Sequence, residues 1–72
     1  MKMPPKMKVG ALVKAHQGYA THKQIGIVLD IDKDFYRIGN SHTTNRIKVF
    51  WINSGFINHE PEEYLLLLKN KS

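Results

Sequence analysis

Arg46-Ile47-Lys48-Val49-Phe50-Trp51-Ile52 is the stretch on which the fold turns. It is rich in β-branched and aromatic residues and contains no turn former, which is the composition of a strand packed on a pleated surface. Period-two alternation puts Ile47, Val49 and Trp51 on one face and Lys48, Phe50 and Ile52 on the other. Asn53-Ser54-Gly55 follows and tolerates positive φ, so it closes a tight hairpin into a short strand from Phe56 to His59. Glu60-Pro61-Glu62-Glu63-Tyr64 then suits a single helical turn, because proline fits the first helical position and carboxylates favour a helix N-terminus. Leu65 to Leu68 is the last strand.

Toward the N-terminus, Ile25 to Ile31 is a second β-branched run, with Ile25, Ile27, Leu29 and Ile31 expected on one face. The stretch from Asp30 to Asn45 mixes charged and aromatic residues around the breaker Gly39-Asn40-Ser41, so a hairpin extension is expected there. Val9 to His16 alternates Val9, Ala11, Val13 and Ala15 with Gly10, Leu12, Lys14 and His16 and reads as the first strand. Gln17 to Gln24 is a polar loop, and Met1 to Met7, with Pro4-Pro5, is expected as a flexible basic arm. No ten-residue window carries a helical period. The sequence therefore predicts an all-β domain over residues 8–69, a small five-stranded, strongly bent antiparallel barrel with a one-turn helix before its last strand, and a polar tail over 70–72.

A chain of 72 residues holds one domain and, at about 60% burial of its unfolded surface, is marginal as a monomer. It has no cysteine for a disulfide and no paired Cys/His spacing for structural zinc, which leaves association with further copies as the way to add buried area. No apolar run approaches a membrane span, and Met1 to Lys8 lacks the apolar stretch of a signal peptide, so the expectation is a soluble protein of the cytoplasm. Eleven basic residues oppose six acidic ones, and the charges are segregated. Residues 1–29 hold five lysines and no acid, while Asp30, Asp32 and Asp34 form one acidic cluster and Glu60, Glu62 and Glu63 another.

The ordered set Val9-Gly10, Gly26-Ile27-Val28, Val49-Phe50-Trp51, Gly55 and Glu60 to Tyr64 spans residues 8–68 and resembles the SH3-like and Sm-like small barrels. More narrowly it is similar to small Sm-like proteins of tailed phages, of marine or cyanophage type. That resemblance implies a ring-forming barrel that binds RNA or DNA, in the host cytoplasm if phage-encoded. The chain departs from the family by opening on Lys2 to Lys6 with two prolines where an α-helix normally stands. It also lacks the bacterial YKH-type signature, so no uridine-binding role passes to His59.

Two surfaces carry the functional expectation. Cations that neutralise phosphate and flat rings on which bases stack are the needs of single-stranded RNA or DNA binding. Lys14, His16, Tyr19, His22 and Lys23 bracket the first loop, and Arg37, His42, Arg46 and Lys48 bracket the second; if the loops meet at one end of a barrel, they form one basic aromatic surface. Tyr19 is the best stacking ring, Phe35 and Tyr36 are intermediate, and Trp51 and Tyr64 are expected in the core. The second surface is an oligomer interface of Phe50, Ile52, Phe56, Leu66 and Leu68, in which the fourth strand of one copy pairs with the fifth of the next. A sharp bend that draws both strand faces into the core is the alternative for these apolar residues.

Other chemistry has little to stand on. Asp30-x-Asp32-x-Asp34 opens like a calcium loop, but Phe35 and Ser41 stand where glycine and glutamate are needed. His59 lies near Glu60, Glu62 and Glu63 without a second histidine at ligand spacing, so no metal site and no cofactor are expected. Ser41, Ser54 and Ser72 sit in loops or at the end of the chain, and no enzyme activity is expected. A protein-interaction or structural module, such as a phage particle component or adaptor, is the competing function. The acidic, apolar end around Phe56, Glu60, Glu62, Glu63 and Leu65 suits it.

Overall fold

The computed structural model of the chain describes residues 6–15, 25–40 and 42–70. The elements are β1 (Leu12–Ala15), β2 (Ile25–Ile38), β3 (His42–Trp51), β4 (Ile57–Pro61), a 3-10 turn (Glu62–Tyr64) and β5 (Leu65–Lys69). They form a five-stranded antiparallel sheet in the order β4-β3-β2-β1-β5. The turn before the last strand falls where the sequence predicts it, with Pro61 as its extended N-cap and Glu62 and Glu63 in its first turn. The 53–55 hairpin also forms, closed by the Gly55 N–H donating to the Trp51 carbonyl at 2.8 Å, with Gly55 at φ 76°.

The expected strongly bent barrel does not form. The sheet is neither closed nor strongly curled; β4 and β5 are its two edges, and the molecule is 17 Å across its thinnest direction. Closure needs tilted strands of matched length that meet after the sheet has coiled. Here β1, β4 and β5 have 4, 5 and 5 residues, whereas β2 and β3 have 14 and 10 and run on together to the Gly39-Asn40 turn. The core face is covered instead by chain ahead of β1. Met7, placed in the arm by the sequence, is 1% exposed and packs with Ala11, Val13, Val28, Ile47, Val49, Trp51 and Leu65.

β3 presents the faces its alternation predicts, with Ile47, Val49 and Trp51 buried. β2 does not keep together the four residues expected on one face. Its core-facing residues are Gly26 and Val28, opposite Trp51 and Val49, while Ile25, Ile27 and Leu29 face outward. The cause is space. A Cβ on Gly26 would collide with the Val49 side chain and lie 2.9 Å from the Trp51 ring, so the one residue without a side chain seats the largest one in the core. A bulge between Val28 and Asp30 then flips the parity and returns Ile31 to the core side. Val9, read as part of the first strand with Ala11, Val13 and Ala15, lies before β1 and is exposed because the chain turns at Val9-Gly10, with Gly10 at φ 93°.

Buried polar groups tie the pieces together. One oxygen of the buried Glu62 carboxylate accepts the Lys6 backbone N–H at 2.9 Å, and the other accepts the Asn45 amide at 3.1 Å. The Asn45 carbonyl oxygen accepts the backbone N–H of Asp34 at 2.9 Å, at a second irregularity of β2 where Asp34 adopts φ 55°. Asn70, just past β5, accepts from the Lys8 N–H at 3.1 Å and donates to the Lys6 carbonyl at 3.4 Å.

Two stability predictions follow from this packing. Gly26→Ala overfills the space beneath Trp51 and costs about 1–3 kcal/mol, read from urea unfolding followed by the fluorescence of the single tryptophan. Glu62→Ala leaves the buried Asn45 amide without its acceptor and costs about 1–3 kcal/mol; it also frees the part-buried Lys6 N–H and raises amide exchange at Lys6 and Met7, whereas an unaltered exchange pattern would mean that the segment is held by its apolar contacts alone.

Candidate nucleic-acid interface and sheet edges

Of the nucleic-acid candidates, His16, Tyr19, His22 and Lys23 lie outside the described residues. The others fall in two places. Arg37 and His42 stand at the far end of the β2–β3 hairpin, next to the Gly39-Asn40 turn. Lys14, at the end of β1, is paired with Ile25 at the opposite end of the 14-residue β2, so among the described residues the two candidate sets stand at opposite ends of that strand. An antiparallel meander imposes this, since successive turns alternate between the ends of its strands.

Lys14, Arg46 and Lys48 share the outer face of the sheet. Lys14 lies opposite Ile25, and Lys48 lies between Asp30 and His59 on the neighbouring strands. Phe50 is half-buried on the same face, in register with Ile27 on β2 and Ile57 on β4. Leu12 extends that row onto β1. The outer face thus presents an apolar and aromatic row with Lys14 on one side and Lys48 and His59 on the other. Arg46 is already engaged: its Nη2 is 2.7 Å from the Asp32 carboxylate and its guanidinium carbon stands 3.8 Å over the Phe35 ring. A cation held by a carboxylate and a ring of its own chain has little left for phosphate.

The sheet edges carry the interface candidates. Ile52 is 46% exposed, Phe56 68%, Leu66 37% and Leu68 46%, whereas Phe50 is half-buried. Leu65 alone of the four leucines is buried; it anchors β5 to the core and leaves the rest of the strand outward. Tyr64, expected in the core, is 41% exposed, because the 3-10 turn sends Glu62 rather than Tyr64 inward. Among the described residues neither β4 nor β5 has a strand on its outer side.

The three aspartates take up local roles. Asp30 accepts the N–H of Ile31, Asp32 holds Arg46, and Asp34 accepts the Thr43 hydroxyl at 2.6 Å. Among the described residues no three His, Asp or Glu side chains gather to hold a metal, and no helix is long and apolar enough to cross a membrane.

One feature has no counterpart in the sequence expectation. Tyr36, Thr44, Pro61, Glu63 and Tyr64 line a pocket of about 300 Å³ between the hairpin extension and the 3-10 turn. The outward row of Leu12, Ile27, Phe50 and Ile57 was equally hidden. Its only signal in the sequence is Gly26, whose lack of a side chain marks the inward position of β2.

Compared with protein-family models, curated proteins and solved structures, the chain matches none.

Proposed function

We propose that this protein is a non-enzymatic binding module that works as an assembly of its own copies, and that the assembled surface takes single-stranded RNA or DNA. The observation that carries this reading is the pair of sheet edges, β4 and β5, unpaired among the described residues and each bordered by exposed apolar side chains: Phe56 and Ile57 at one, Leu66, Leu67 and Leu68 at the other. Unpaired edge strands template further pairing. Because the two edges differ, joining β4 of one copy to β5 of the next is a heterologous contact, which gives a ring where the rotation between copies closes.

Assembly also supplies what one copy lacks. A single outer face offers Lys14, Lys48 and His59 around Phe50, too few cations for tight phosphate binding, and repetition multiplies them along a continuous sheet. Each copy carries a formal charge of +5, so an assembly builds a field that draws in polyanions. Arg37 and His42 at the hairpin tips add a second row.

A protein partner added to the β4 edge is the second reading, favoured by the exposure of Phe56 beside the carboxylates of Glu60 and Glu63.

Light scattering on nuclease-treated protein tests the proposal. The expected mass is a multiple of 8.3 kDa that falls to the monomer in the Ile57→Lys, Leu66→Lys double variant. Binding to a short single-stranded RNA is expected to weaken with salt, and Lys14→Ala with Lys48→Ala to flatten the log–log slope by about 0.7 per lost phosphate contact. A monomer indifferent to RNA at low salt overturns the proposal and favours the protein partner.

A further inference from the structure

The long hairpin of β2 and β3 changes character at Asp32. On one side of that point it belongs to the sheet, where β1 pairs with β2 as far as Ile27 and β4 pairs with β3 as far as the Arg46–Pro61 register pair. On the other side Tyr36 is in register with Thr44, Arg37 with Thr43 and Ile38 with His42, and no third strand runs alongside among the described residues. The register slips between the two parts. Lys33, Asp34 and Phe35 of β2 stand opposite Asn45 alone, and Asp34 takes a left-handed backbone conformation, φ 55°, that residues other than glycine adopt at a cost. Side chains span the slip: Oδ1 of Asn45 accepts the Asp34 N–H at 2.9 Å, and the Thr43 hydroxyl donates to Oδ1 of Asp34 at 2.6 Å.

We propose that residues 36–40 and 42–44 form an arm that opens and closes as one unit about an elbow at 33–35, and that the hydrogen bond from the Thr44 hydroxyl to Oε1 of Glu63 is its latch. A two-stranded ribbon is marginal by itself, so its position depends on what it docks against. Here the docking passes through a side-chain bond to an exposed residue of the 3-10 turn, at the border of the pocket of about 300 Å³ that Tyr36 and Thr44 share with that turn. Such a contact can break without cost to the core. The core cluster draws on Met7, β1, β2, β3 and β5 but on no residue of the arm, and segments that contribute little buried apolar area open at lower free energy than the core does. The elbow supplies the slack, because three residues against one form an enlarged bulge and the strained Asp34 backbone relaxes when the arm swings. Arg37 and His42 ride on the arm while Lys14 and Lys48 stay on the sheet, so the latch sets the spacing between two groups of cations.

Amide hydrogen exchange of the full chain, followed residue by residue by NMR, tests the latch. Thr44→Val keeps the shape of the side chain and removes the donor, and Glu63→Ala removes the acceptor from an exposed position, so at least the second variant keeps its fold. Each is expected to speed exchange of the protected amides of the arm by a common factor of about tenfold, the scale of one hydrogen bond to a charged group. Amides of 25–31 and 46–51 are expected to keep their rates. The double variant is expected to exchange no faster than either single one, since both remove the same bond. Unchanged arm exchange in Glu63→Ala overturns the inference. So does an equal acceleration over 25–31 and 46–51, because the arm would then open only together with the sheet. The measurement uses protein without RNA, so its outcome is separate from that of the nucleic-acid proposal.

Discussion

The Glu62 carboxylate is the joint of the molecule. It lies in the 3-10 turn but binds the Lys6 backbone ahead of β1 and the Asn45 amide on β3, and Asn45 passes the constraint to the irregular backbone of β2 at Asp34. A charge this buried is tolerable only when its oxygens are met, and once met it is costly to dislodge. The bond to Lys6 keeps Met7 on the core face, where an open sheet has no second sheet to cover it. The bond to Asn45 sets the turn beside the hairpin extension, and with it the positions of Glu63 and Tyr64.

An open sheet of this size has an unavoidable imbalance. One face is sealed by Met7, Ala11 and Leu65, and the other leaves Ile25, Leu29 and Ile57 in solvent, with more apolar surface at each edge. Burying apolar area is the main stabilising term available to a domain without disulfides, and 72 residues on one sheet bury little of it. The proposed self-association through the edges would bury part of that surface, so that stability and function would be served together.

Charge placement divides the work among surfaces. Lys14 and Lys48 flank the aromatic row of the outer face, Arg37 and His42 sit at a remote tip, and the carboxylates of Glu60 and Glu63 gather near the end of β4. Arg46, which looks available as a basic residue in a strand, is held by Asp32 and Phe35.

Much of the fold is legible in residues 46–68 alone. Period two in Ile47, Val49 and Trp51, the turn residues at 53–55, Pro61 with two glutamates, and the leucine run are local signals, and each yields the element it implies because strand and turn preferences act over a few residues. The availability of Phe56, Leu66 and Leu68 is legible in the same way. What the sequence could not settle is everything that depends on a distant partner. Ile25, Ile27, Leu29 and Ile31 read as one face until the register on β3 puts Gly26 beneath Trp51 and the bulge after Val28 sends Ile31 to the other side. Arg46 reads as free until Asp32 and Phe35 are brought beneath it by the register of β2 on β3. Whether the sheet closes, and whether Tyr36 meets Tyr64 across a pocket, turn on relative strand lengths and on one buried carboxylate. Composition and periodicity, which are local, determined the strands; contacts between residues far apart in the chain decided which faces they show and what those faces can hold.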